Sequence, residues 1–174
     1  MNKKIKIIDS LNFLKGSLQK LVENHIKAGL PLKYTTNVLI NDNILQNSEL
    51  YNLLVKGKGV MCYDYLSDLS VLKETKLPEK KHFYNHLYDK DISEEEYNIA
   101  LKVFDLCKCK SLSDYLLIYN RMDVLLLADI FLTWRDCFFY VYKLDIVQYL
   151  TISAFSFDAF LLKESPELKN RFFI

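Results

Sequence analysis

Hydrophobic positions recur along most of this chain at intervals of three and four, the spacing that lays an apolar stripe along one face of an α-helix. From residue 10 to about 28, Leu11, Leu14, Leu18, Leu21, Val22 and Ile26 keep that interval. Gly29 and then Pro31 close the segment, so one amphipathic helix is predicted there. A short helix is predicted over 48–55 with Ser48 as its cap, ahead of a turn forced by Lys56-Gly57-Lys58-Gly59. Ser93 with Glu96 three residues on forms a capping box, and Glu94 and Glu95 add charge that suits a helix N-terminus; this helix should run to about Leu106. The longest helix should begin at Ser111 or Ser113 and continue to about Tyr142, carrying Tyr115, Ile118, Tyr119, Met122, Leu125, Leu126, Asp129 and Leu132 at threes and fours. Its apolar residues occupy more than one side, which predicts burial against several neighbours. A last helix is predicted over about 153–163, before Ser165-Pro166 and the apolar end Phe172-Phe173-Ile174.

Three segments break this rhythm. Residues 4–9, Lys-Ile-Lys-Ile-Ile-Asp, alternate and are β-branched, which predicts a strand. A lone strand is not stable, so it requires a partner within the chain or the rest of a sheet. Residues 33–56 are polar, Asn-rich and weakly periodic outside the short helix, and 73–81, around Pro78, are charged like a surface loop.

Composition changes the picture little. The chain has 174 residues, 51% hydrophobic, enough for one core of ordinary domain size, and its 4 Gly and 3 Pro are few for an all-β protein. The net charge of +1 neither announces nor excludes a nucleic-acid partner. Cys62, Cys107, Cys109 and Cys137 lack paired CxxC spacing, and the N-terminus has no secretory pattern, so an intracellular, reducing location is expected; nucleus, cytoplasm and organelle are not distinguished. No apolar run is long enough to suggest a membrane partner. His82 and His86 stand at i and i+4, but no third metal ligand lies nearby in sequence, which favours exposed or capping roles.

The candidate chemistry lies on the long helix. Tyr119 and Asp123 are four residues apart and so project from one face, a turn apart. A carboxylate and a phenol so placed suit a divalent cation and an oriented water. Yet hydrolysis by two metals needs several carboxylates, and one Asp cannot hold both ions. By spacing alone, Tyr-x-x-x-Asp describes far better a core Tyr with a surface Asp.

The surrounding text, Asp114-Tyr115-Leu116-Leu117-Ile118-Tyr119-Asn120-Arg121-Met122-Asp123-Val124-Leu125-Leu126, resembles the third exonuclease motif of B-family DNA polymerases, in the form found in Polinton/Maverick transposons and related protein-primed enzymes. The resemblance implies that Asp123 is a metal-ligand carboxylate and Tyr119 the water-positioning phenol. Collinear with it, Ile8-Asp9-Ser10-Leu11-Asn12-Phe13-Leu14 looks like the Ser/Thr-Leu-x-x-hydrophobic motif of the same enzymes, which implies that Ser10, Leu11 and Leu14 touch single-stranded DNA or the terminal protein. The plainer reading makes Ser10 an N-cap and Leu11 and Leu14 core residues. Lys58-Gly59-Val60-Met61 is similar to the Lys-x-x-hydrophobic motif, which implies that Lys58 steadies the scissile phosphate; the competing reading is an exposed loop Lys, with Lys56 as a rival register. Residues 77–97 look like the linker and capped helix between these motifs, and 149–161 like the segment leading toward the polymerase core.

By that resemblance the expected fold is α/β leaning to mainly α, the C-terminal portion of a ribonuclease H-like 3′–5′ exonuclease domain with an incomplete sheet. Residues 1–145 would belong to the exonuclease, with an insertion at about 33–92, and 146–174 would begin the polymerase region. The parent enzyme would be a DNA-directed DNA polymerase that uses Mg2+ or Mn2+, deoxynucleotides, a primer 3′ end and a terminal protein. The first two exonuclease motifs would lie upstream of Ile5 and the polymerase carboxylates beyond Ile174, so the chain by itself is expected to be inert. A different class of reading makes it a non-enzymatic DNA- or partner-binding remnant, with Tyr63, Tyr65, Tyr115 or Tyr119 available to stack on bases.

Overall fold

A computed structural model of the chain describes residues 7–41, 47–55 and 59–164. Among them are six α-helices: α1 Leu18–Lys27, α2 Lys33–Asn41, α3 Ser48–Val55, α4 Glu94–Leu106, α5 Leu112–Tyr142 and α6 Ile152–Glu164. No strand occurs among the described residues, and the sole bridge is an isolated antiparallel pair, Asn85 with Lys90. The expected ribonuclease H-like α/β architecture with a partial sheet is therefore corrected to a mainly helical fold. Of the segment predicted as a strand, residues 4–6 lie outside the described part, and 7–9 are irregular.

The helix predicted over 10–28 is split. Asp9 caps a 3₁₀ turn, Ser10–Asn12, by accepting from the Leu11 amide at 2.9 Å, so Asp9 rather than Ser10 is the capping residue. Gly16 then takes φ 150°, a conformation that side-chain-bearing residues rarely adopt, and α1 starts only at Leu18. Periodicity of the apolar positions persists across such a break, because a turn can redirect the chain without disturbing the sequence interval.

The chain divides into two compact units, Leu18–Asp129 and Met1–Ser17 with Ile130–Ile174. The expected boundary at residue 146 thus falls inside the second unit. In the first, α3 packs against α4, and the Ser93/Glu96 capping box closes the N-terminus of α4 from both sides. Asn47, not Ser48, caps α3, its side-chain oxygen accepting from the Leu50 amide at 3.1 Å. Residues 59–93 contain only 3₁₀ turns and loops, so their backbone groups need partners from elsewhere. Several come from the helices that follow: the Tyr115 hydroxyl donates to the Val60 carbonyl at 2.8 Å, the Leu112 amide to the Glu74 carbonyl at 2.8 Å, and the Tyr97 hydroxyl to the Pro78 carbonyl at 3.1 Å.

The polar anchor of α2 comes from far away. Asp129, 2% exposed, accepts from the amides of Tyr34 and Thr35, each at 2.8 Å, across 95 and 94 positions of sequence. A carboxylate at a helix N-terminus satisfies orphan amides and complements their dipoles. This explains how Lys33–Asn41, rich in Thr and Asn, forms a helix that its own periodicity does not announce.

The second unit is aromatic. Phe155 on α6 is met edge-on by Phe138, Tyr142 and Tyr149 at ring separations of 5.1, 5.6 and 5.4 Å, and Phe13 meets Phe131 at 6.0 Å. After the left-handed Lys143, Asp145 caps the turn Ile146–Gln148 and binds the Arg135 guanidinium, Nε at 2.9 Å. The hydrogen bond from Arg135, with its charge, holds the Asp145 carboxyl below its ordinary value.

Candidate functional site

Tyr119 and Asp123 lie in the middle of α5, within the Leu18–Asp129 unit, and both are half-buried. Their sidewall comes from residues 59–63. The Gly59 backbone runs against the Tyr119 ring so closely that a Cβ there would sit 3.1 and 3.2 Å from two ring carbons. Only glycine fits that approach without moving the ring. Val60, Met61 and Cys62 are buried beneath, and the Tyr115 hydroxyl ties the Val60 carbonyl one helical turn before Tyr119. Lys58 lies outside the described residues.

Tyr63 completes the group. Its hydroxyl is 3.1 Å from that of Tyr119, and the two rings meet edge-on with centroids 6.3 Å apart. The Asp123 carboxylate is the other polar group that acts on the Tyr119 hydroxyl. Burial pushes the Tyr119 hydroxyl well above the ordinary phenol value, and the Tyr63 hydrogen bond and the Asp123 charge push it further. Burial also raises the Asp123 carboxyl above its ordinary 3.8, opposed by the hydrogen bond from Tyr119. Tyr119 is therefore held neutral, a donor and an acceptor rather than a base.

A divalent cation needs more oxygen donors than this. No group of three or more His, Cys, Asp or Glu side chains that could hold a metal ion occurs among the described residues, and Asp123 is a single carboxylate. The donor set does not fit a two-metal centre. His82 and His86 do not converge: the His82 ring packs on Tyr65 at 4.6 Å, and the His86 ring on Tyr84 at 4.9 Å. Burial pushes the Cys62 and Cys109 thiols up to about 11, which leaves them unreactive.

Ser10, Leu11 and Leu14 belong to the other unit. Leu11 is 56% exposed and Ser10 half-buried, whereas Leu14, 1% exposed, is a core residue with no surface to offer a DNA strand or a protein. Of the four tyrosines considered for base stacking, Tyr115 is core, Tyr65 gives its hydroxyl to Glu74 at 2.9 Å, Tyr119 is half-buried and Tyr63 is 54% exposed. Tyr63 carries no spacing signal linking it to Tyr119, because the two are 56 positions apart and joined through a loop. No helix among the described residues is long and apolar enough to cross a membrane. No protein-family model matches the chain, and no curated protein or solved structure matches it.

Proposed function

We propose that the chain is part of a protein-primed, B-family DNA polymerase and that its Tyr119–Asp123 pair receives the 3′ end of a single DNA strand. The observation that supports this is a convergence. Gly59 and Val60, from the segment similar to the Lys-x-x-hydrophobic motif, pack on Tyr119 and Tyr115, from the segment similar to the third exonuclease motif. Two stretches chosen for likeness to one enzyme class thus meet in space, 55 positions apart.

The chemistry follows from what the pair can and cannot do. Asp123 offers an acceptor to a water or a sugar hydroxyl, and Tyr119, neutral, fixes its direction. A divalent metal would supply the Lewis acid for phosphodiester hydrolysis in the complete enzyme. The sequence has no Asp-x-Glu to add the missing carboxylates. The chain alone binds a strand end without cutting it.

The test uses the whole 174-residue chain with a fluorescent single-stranded oligodeoxynucleotide, with and without Mg2+ or Mn2+. Expected are a rise in anisotropy, weakened by Asp123→Ala, and no digestion. Turnover that Asp123→Ala abolishes would overturn the claim of inertness, and absence of strand binding at low salt would overturn the DNA reading.

A further inference from the structure

The C-terminal end of α5 carries two stripes on opposite sides of the helix. Trp134, Phe138 and Tyr142, four residues apart, run down one side; their rings follow one another at 5.1 and 5.9 Å, and Phe138 and Tyr142 pack on Phe155. Asp136, Phe139, Tyr140 and Lys143, at intervals of three, one and three, run down the other side, and all four are exposed. Phe139 is 51% and Tyr140 77% exposed, so two large rings of this stripe have no cover among the described residues. Lys143 stands just past the helix in the left-handed region, yet it stays on the stripe. Its amide donates to the Phe139 carbonyl at 2.9 Å, and its Nζ lies over the Tyr140 ring, 5.2 Å from the centroid.

This second stripe is self-complementary. A two-fold axis passing midway between Phe139 and Tyr140 runs two such helices antiparallel, and it sets Asp136 of each copy against Lys143 of the other and Phe139 of each against Tyr140 of the other. A parallel pairing would instead face Asp136 with Asp136 and Lys143 with Lys143. We propose that this face of α5 docks on the same face of a second copy of the chain, antiparallel, with the aromatic rings buried at the centre and an Asp136–Lys143 ion pair at each end. Rings supply the burial, and the charges fix direction and register. The neighbouring cation, Arg135, does not compete for Asp136, because its guanidinium is bound to Asp145. The face lies wholly within the unit that contains Ile130–Ile174, and the pairing does not depend on strand binding at Tyr119 and Asp123.

The experiment is sedimentation velocity on the full chain over a range of concentrations, with the wild type, Asp136→Lys, Lys143→Asp and Tyr140→Ser. The wild type should sediment as a concentration-dependent dimer. Each charge reversal alone faces like charges across the axis at both ends and should raise the dissociation constant more than about tenfold. An equimolar mixture of the two reversals restores opposite charges at both ends, so it should dimerise again, as a heterodimer. Tyr140→Ser removes the central ring without changing charge and should weaken the dimer as well. All four positions are exposed, so circular dichroism of each variant should match the wild type. A wild type that stays monomeric, as a face reserved for a different partner would, overturns the proposal. So does a reversal or Tyr140→Ser that dimerises as tightly as the wild type, or a mixture no tighter than its two components.

Discussion

Both compact units bury apolar side chains, and they differ in what is added to that burial. In Leu18–Asp129, directional polar bonds from α5 reach back to fix what precedes it: Asp129 on the amides of α2, Tyr115 on Val60, Leu112 on Glu74. In the other unit, aromatic rings gather edge-on around Phe155, with the Arg135–Asp145 pair at the margin. Area burial tolerates a change of partner, whereas a buried hydrogen bond does not. The segment 59–93, which forms no α-helix or strand, is joined to α4 and α5 by bonds of the second kind. It is this polar unit that holds Tyr63, Tyr119 and Asp123 in register.

The comparison breaks most visibly at its two anchors. Asp129→Ala leaves a buried and a part-buried amide without their acceptor and should cost about 3–5 kcal/mol in urea unfolding, with hydrogen exchange quickening first at Tyr34 and Thr35. Phe155→Ala should cost a similar amount, about 3–5 kcal/mol, with exchange quickening along α6. Near-isosteres sharpen the contrast: Asp129→Asn should lose most of the stability, because its amide group points a donor at a donor, while Phe155→Leu should keep most. Equal tolerance at both sites would remove the distinction.

Single polar atoms give smaller effects. Tyr115→Phe strips the hydroxyl from the buried Val60 carbonyl and should cost about 1–2 kcal/mol, seen as a lowered denaturation midpoint at unchanged m-value. Thr35 tests the opposite sign. Its hydroxyl is buried without a hydrogen-bond partner, so Thr35→Val should stabilise the chain by about 1 kcal/mol.

The smallest expected effect is the most local to the site. Burial raises the folded Asp123 carboxyl above its ordinary 3.8, so the native state holds this proton longer than the unfolded state. Asp123 therefore lowers stability as pH climbs from 3.8 through its folded value, and costs nothing below 3.8. Asp123→Asn should be the more stable protein at neutral pH by less than about 1 kcal/mol, and the advantage should vanish in acid. Thermal unfolding of both proteins across that range is the measurement.

Helices α3, α4, α5 and α6 were legible in the sequence, because each is specified by neighbours within a turn or two. The capping box at Ser93 and Glu96 is purely local, and so is the shared face of Tyr119 and Asp123. What the chain could not announce depends on partners far along it. Helix α2 waits for a carboxylate 95 positions away, and the break at Gly16 redirects a stripe whose interval never changes. A sheet was expected from six alternating residues, yet pairing is a long-range event and none forms among the described residues. Tyr63 and Gly59 join Tyr119 only when the loop folds onto α5. Local hydrogen-bonding rules set the helices, while the tertiary structure alone decided which side chains meet, because loop closure erases sequence distance.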